Sequence, residues 1–232
     1  MTDLAKKTIL MVISSHEKLG DTLGKTGLWV EEFAAPYYVF KKAGFNILLA
    51  SPLGGQPPID PKSKLADFQT EQTKKFYKDG KAKAKLANTA KLSDIDFDQL
   101  DALFYPGGHG PLWDLVDNPY SITLIENSIK HKQPVAAVCH ASAVLLNAKN
   151  QEGESVVKGK MVTGFSNTEE EAVALSLVVP FLLEDALKAK GGIYQKGGDW
   201  ASFVIEDDLI ITGQNPASSA AVAEKLVSKL NA

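Results

Sequence analysis

The chain contains no arginine: every one of its 25 basic residues is lysine. Arginine is the usual residue for bidentate grips on carboxylates and phosphates, so its absence argues against a large phosphorylated or polyanionic substrate. A basic surface is missing too. The net charge is −3, which excludes the overall positive field that nucleic acid demands. No apolar run approaches the ~18 residues of a membrane span. The polar start, Met1 to Lys7, lacks the apolar stretch of a leader. Cysteine is almost absent: Cys139 is the only one in 232 residues. One thiol excludes an internal disulfide framework and fits a reducing compartment, so a cytoplasmic setting is expected. Histidines, acids and the cysteine nowhere recur at zinc-ligand spacing. Internal repeats and low-complexity tracts are missing as well.

What is present is enough apolar residue, 44%, to bury a substantial core. Thr8 to Ser14 reads as a buried strand. Gly27 to Ala43 reads as a helix, with Trp29, Phe33, Tyr37 and Phe40 at helical spacing and Gly44 as its stop. Pro36 predicts a kink or break inside it. Phe45 to Ser51 is a second strand. A βαβ unit of this kind implies a parallel sheet with right-handed crossovers. Further strands fall at Asp101–Tyr105, Pro134–Val138, Lys160–Thr163, Ile193–Tyr194, Phe203–Glu206 and Leu209–Thr212. Helices fall at Asn118–Lys132, after Asn167 as cap, at Phe181–Lys190 and at Ser218–Leu230. The pattern is that of an α/β protein with a mostly parallel, doubly wound sheet. Residues 52–96 break the alternation. They open on a proline- and glycine-rich loop and continue with short helices at Leu65–Tyr77 and Ala82–Ala87. We read them as an insertion, a cap on a single domain of residues 1–232. Their lysine run, Lys74 to Lys85, reads as a solvated helix face.

The chemistry centres on Val135 to Ala143. Four small or β-branched apolar residues lead into Cys139 and His140, and Ala141 to Asn147 reads as a helix start. A nucleophile at a strand-to-helix turn is held on a tight bend. The helix end behind it favours a thiolate, the reactive form. The alternative is a small apolar filler, since lone cysteines are among the most buried residues. In open parallel sheets ligands sit at the carboxyl ends of the strands, near a topological switch point. Two other features fall there: the loop Pro106-Gly107-Gly108-His109-Gly110, whose glycines allow close backbone approach, and the stretch carrying Trp29, Glu31 and Glu32. A Cys-His pair needs a third group to orient the imidazole. Glu170 is a candidate, although Glu169, Glu170 and Glu171 also suit the start of a helix as dipole complements.

These residues carry a resemblance over nearly the whole chain. The motifs are Lys25-Thr26-Gly27 with Glu32 and Pro36; Ser51-Pro52 with Gly54-Gly55 and Asp60-Pro61; Pro106 to Gly110; Ala137 to His140; Thr163-Gly164-Phe165 with Glu170; and Gly213 to Ser218. In this order they resemble the class I glutamine-amidotransferase-like superfamily, in its PfpI-type branch. Within it the chain is most similar to the glutathione-independent glyoxalases (glyoxalase III), a group that overlaps heat-shock chaperones. The resemblance implies a flavodoxin-like fold, helices on both faces of the sheet, and a homodimer. It implies Cys139 as nucleophile, His140 as its base or orienter, Glu170 as the acidic third member and Glu32 as the carboxylate against the thiol. It places the oxyanion site at Gly108 and the backbone around His140 and Ala141, with His109 and Trp29 beside the substrate. The implied substrate is a small 2-oxoaldehyde, with methylglyoxal going to lactate and glyoxal to glycolate, and neither a metal nor another cofactor is expected. Amidase or peptidase chemistry, deglycation, a holdase role and redox sensing are the competing readings. Ala141 stands where many relatives have glycine, and Glu31 would replace Glu32 if the helix register slipped. His16 is expected along the pocket with His109, and His131 on the surface.

Overall fold

Three short apolar runs, Ile9 to Val12, Ala102 to Tyr105 and Val135 to Val138, are buried along their whole length. Strands that are apolar on both faces belong in a parallel sheet covered on both sides. In the computed structural model, which describes residues 6–232, that is where they lie. The polar start read as carrying no leader falls, for residues 1–5, outside the described residues. In chain order the strands are β1 (Thr8–Val12), β2 (Asn46–Ser51), β3 (Ala90–Lys91), β4 (Ala102–Tyr105), β5 (Val135–Val138), β6 (Met161–Val162), β7 (Ile193–Tyr194), β8 (Val204–Asp207) and β9 (Ile210–Gly213). Seven form one sheet in the order β3-β2-β1-β4-β5-β9-β8. All its pairs are parallel except β8 with β9, a hairpin turned at Asp208, whose φ is +54°. β6 and β7 make a separate parallel pair.

The chain winds outward from β1 through β2 to β3, then returns to the other side of β1 with β4. The strand order therefore reverses between β1 and β4, which opens a crevice at their carboxyl ends. Helix α1 (Val30–Ala43) follows β1, ends at Gly44 with φ +85°, and packs on the last helix. Of the kink or break expected at Pro36, the break does not occur: the helix runs through it. The N–H that Pro36 lacks would have bonded the carbonyl of Glu32, four residues earlier, so the helix loses one rung there.

In the 52–96 segment the first helix starts later than expected and the second slightly earlier. Pro61–Lys64 and Ala66–Phe68 are single 3-10 turns, and α2 begins only at Glu71 and runs to Lys78. Thr70 sets that start: its hydroxyl accepts from the N–H groups of Gln72 and Thr73. Asp79 ends α2 and caps α3 (Gly80–Ala87). Phe76 of α2 meets Phe33 of α1 edge-on at 5.5 Å, anchoring the segment over the first helix. The lysine run is exposed throughout. Further on come α4 (Pro111–Asp114), α5 (Pro119–Lys130) against β4 and β5, α6 (Asn167–Ala172), α7 (Leu183–Ala189) and α8 (Ser219–Asn231). Ser166, not Asn167, caps α6. Its hydroxyl accepts from the Glu169 N–H, and the Glu169 carboxylate accepts from the Ser166 N–H, a reciprocal capping box. No helix among the described residues is long and apolar enough to cross a membrane.

Candidate active site

Cys139 sits where β5 ends, and its φ is +59°. A non-glycine residue in the left-handed region costs about 1–3 kcal/mol, and such strain collects at functional sites. A seven-residue 3-10 helix, Cys139–Leu145, follows directly, in place of the expected helix from Ala141. The expected thiolate preference does not hold for the resting protein. Burial, then the carboxyl of Glu32, push the Cys139 thiol well above its ordinary range, and the His140 N–H only partly opposes them.

Glu32 lies in the first turn of α1 and is fully buried. Burial pushes its carboxyl up to about 8, against the lowering pull of the Gly107 N–H and the Cys139 thiol. Gly107 donates to Oε2 at 2.8 Å, while Oε1 is buried without a hydrogen-bond partner. The double glycine after β4 is sterically required. A Cβ on Gly107 would stand 2.7 Å from Glu32 Oε2, and one on Gly108, whose φ is +99°, 2.1 Å from the Gly27 carbonyl oxygen. Glu31, the alternative, also lines the cavity but turns to the cap, where its carboxylate accepts from the Thr70 hydroxyl at 2.5 Å. The register of α1 therefore puts Glu32 against the thiol.

His140 Nδ1 is 3.3 Å from Cys139 Sγ, and its Nε2 is 2.6 Å from Glu170 Oε2. His109 Nε2 is 2.9 Å from the other oxygen of Glu170. Burial alone would raise Glu170, but His140 and His109 outweigh it and hold the carboxyl well below the usual carboxylate range. Glu170 is thus an acceptor only, and both Nε2 atoms donate to it. The His109 and His140 rings lie 3.9 Å apart, and Phe165 backs His140 at 4.3 Å. Residues far apart in the chain thereby form a cluster that linear spacing hides: donor atoms of His109, His140 and Glu170 all lie within 4.8 Å of one another. The three could hold a metal ion; in this arrangement the two imidazoles spend their Nε2 donors on the carboxylate.

These groups face a cavity of about 600 Å³ that Cys139, His140, Glu32, His109, Gly108 and Trp29 all line. The cap supplies further wall at Asp60, Phe68 and Thr70, and the second half of the chain supplies Phe165, Trp200 and Asn215. Phe68 and Trp200 escaped the sequence reading. Trp200, at φ +62°, is held by its N–H to Glu169 Oε1 at 2.8 Å, and no local pattern marks it. Two expectations place differently. His16 does not line the cavity; it stacks on Trp113 at 4.9 Å and reaches the Lys18 carbonyl. Ala141 is fully buried behind the elbow and is absent from the cavity wall, so only its backbone could serve an oxyanion. His131 is exposed, as expected, and bonds the Asn127 carbonyl.

Residues 26–229 match the DJ-1/PfpI family. The chain is 30% identical over 231 residues to glyoxalase 3 of Candida albicans, covering 96% of this chain and 97% of that one. It is 33% identical over 241 residues to the glutathione-independent glyoxalase hsp3102 of Schizosaccharomyces pombe, covering 97% and 98%. Among solved structures, the rapid encystment protein of 24 kDa from Francisella tularensis superposes with a TM-score of 0.92 at 38% identity, over 97% of this chain and 99% of that one. The crystal structure of glyoxalase III from Candida albicans superposes at 0.88 with 28% identity, over 96% of each. Sequence, fold and the placing of the elbow agree: this chain belongs to the DJ-1/PfpI family.

Proposed function

We propose that this protein is a glutathione-independent glyoxalase that converts methylglyoxal to lactate and glyoxal to glycolate. The observation that carries the reading is the pairing of the Cys139 thiol with Glu32, a carboxyl pushed up to about 8, inside a cavity that also presents an imidazole fixed by Glu170. Near-full-length likeness to proteins named as glyoxalases supports it.

His140 Nδ1 takes the thiol proton, and the sulfur adds to the aldehyde carbon. The oxygen that becomes negative is met by backbone N–H groups at Gly108 and around His140 and Ala141, then takes the proton back from His140. In the hemithioacetal, Glu32 removes the hydrogen from C1 and returns it to C2 through an enediol. The hydroxyl proton passes from O1 to O2. A carboxyl that titrates near neutrality suits both halves of that transfer. C1 is oxidised as C2 is reduced, so the rearrangement needs no outside oxidant. The thioester that results is hydrolysed to the hydroxy acid. Trp29 and His109 flank the substrate, and the wall at Phe68 and Thr70 disfavours the long open cleft of a peptidase.

We read the chain as one domain capped by the 52–96 segment, working in the cytoplasm as a homodimer. The single cysteine supports the setting. Sedimentation of the purified protein checks the dimer.

The deciding experiment supplies methylglyoxal without glutathione and follows lactate. Wild type is expected to form lactate, and Cys139→Ser and Glu32→Gln to lose it. A folded, reduced wild type that forms none would overturn the assignment.

A further inference from the structure

One carboxylate in this site holds two imidazoles, yet only one of them reaches the thiol. Glu170 accepts from Nε2 of His140 at 2.6 Å and from Nε2 of His109 at 2.9 Å. Because it is ionised and can only accept, it fixes the same tautomer on both rings and leaves Nδ1 as the basic nitrogen of each. The Nδ1 of His140 is committed, 3.3 Å from Cys139 Sγ. The Nδ1 of His109 has no hydrogen-bond partner among the described residues and is not sealed off. His109 lines the cavity with its side chain 12% exposed. A second base, already oriented, therefore faces the space that substrate and water enter.

The glyoxalase reading needs such a base at one step that the groups already placed do not serve. After rearrangement, Cys139 carries a thioester. The basic nitrogen of His140 is directed at the sulfur itself, and Glu32 has completed its transfer. We propose that His109 is a further catalytic residue, the general base that activates water to hydrolyse the Cys139 thioester. This rests on the glyoxalase reading. A cavity water gives a proton to His109 Nδ1 as its oxygen bonds to the thioester carbon. The tetrahedral intermediate collapses, the carbon–sulfur bond breaks, and the sulfur leaves with the electron pair. The hydroxy acid returns its proton to the sulfur, and His109 releases the water's proton to solvent. Hydroxy-carboxylate, thiol and one proton are formed from thioester and water.

The test uses the full chain with methylglyoxal as the probe. His109→Gln keeps an amide donor for Glu170 and removes the base; His109→Asn is the second variant should the first fail to fold. Each is expected to consume about one equivalent of methylglyoxal in a fast phase and then slow, with steady turnover down about 10²-fold or more. Intact mass should show the lactoyl group held on Cys139. Hydroxylamine, which attacks a thioester without a base, should release the lactoyl group from Cys139 as the hydroxamate once free methylglyoxal has been removed. Wild-type turnover in a folded variant would overturn the proposal. So would a slow variant whose Cys139 stays unmodified, because His109 would then act before the thioester forms. Failure of wild type to consume methylglyoxal at all would remove the glyoxalase reading itself, and the proposal with it.

Discussion

The backbone N–H of Gly107 donates to Glu32 Oε2 over 2.8 Å, tying the glycine loop after β4 to the first turn of α1 across 75 residues of sequence. The bond exists because Gly107 has no side chain: a Cβ there would stand 2.7 Å from the same oxygen and 2.7 Å from the Val138 carbonyl. Gly107→Ala should therefore push Glu32 away from Cys139. We expect loss of kcat by about 10²-fold or more, comparable to removing a general acid–base group, with stability lowered by about 1–3 kcal/mol as for overpacked sites. Steady-state kinetics and thermal melts check both.

Glu32 should also mark the pH dependence of stability. Its carboxyl is raised from an ordinary 4.5 to about 8 in the folded protein. A raised acid binds its proton more tightly folded than unfolded, so its contribution is complete below about 4.5 and is lost as pH rises through about 8. Glu32→Gln cannot ionise and removes that loss. Between pH 4.5 and 8 wild type should lose stability relative to the variant, by on the order of 4 kcal/mol. Parallel melting curves against the stability difference in this window decide it. Glu31→Gln removes the charge while its amide oxygen can still accept from the Thr70 hydroxyl, so activity should stay within about tenfold, since at most one hydrogen bond worth about 1 kcal/mol is weakened.

Glu170→Gln should separate geometry from charge. The amide keeps the shape but can present its NH₂ to one imidazole, which reverses that ring's tautomer. With His140 Nδ1 then protonated, the base facing Cys139 Sγ is gone. A fall in kcat of about 10²- to 10⁴-fold is expected, by analogy with triads in which the acid is replaced by its amide. Thiol alkylation rates across pH should fall with it; an unchanged alkylation profile would argue against His140 as the thiol's base.

The cavity is larger than methylglyoxal requires. About 600 Å³ is room for a drug-sized ligand, not one of three carbons. Trp29 and Phe68 meet edge-on at 5.0 Å along its wall, and Phe165 and Trp200 at 5.8 Å. Phenylglyoxal should be accepted as a substrate. Phe68→Ala should raise KM for phenylglyoxal several-fold more than for methylglyoxal, because about 1–3 kcal/mol of aromatic burial is removed from one and not the other. Equal effects on both would show that the wall does not touch the substrate.

Local sequence was enough for the parts of this protein that local interactions decide. The apolar runs of β1, β4 and β5 announce a sheet buried on both faces. Gly44 announces the end of α1, and Cys139 between a small-residue strand and His140 announces the elbow. Each depends on a handful of adjacent residues and on burial. Tertiary structure decided the rest, because a side chain's partners and solvent come from residues remote in the chain. Asn167 looks as good a cap as Ser166, until the Glu169 carboxylate closes the box on Ser166. His16 and His109 both follow strands, yet only His109 finds Glu170, 61 residues away, and faces the cavity. Glu31 and Glu32 are indistinguishable as a pair of acids; the turn of α1 sends one to Thr70 and seals the other beside the thiol. The same burial raises the thiol that a helix end was expected to lower, since losing water around a charge outweighs a short helical turn.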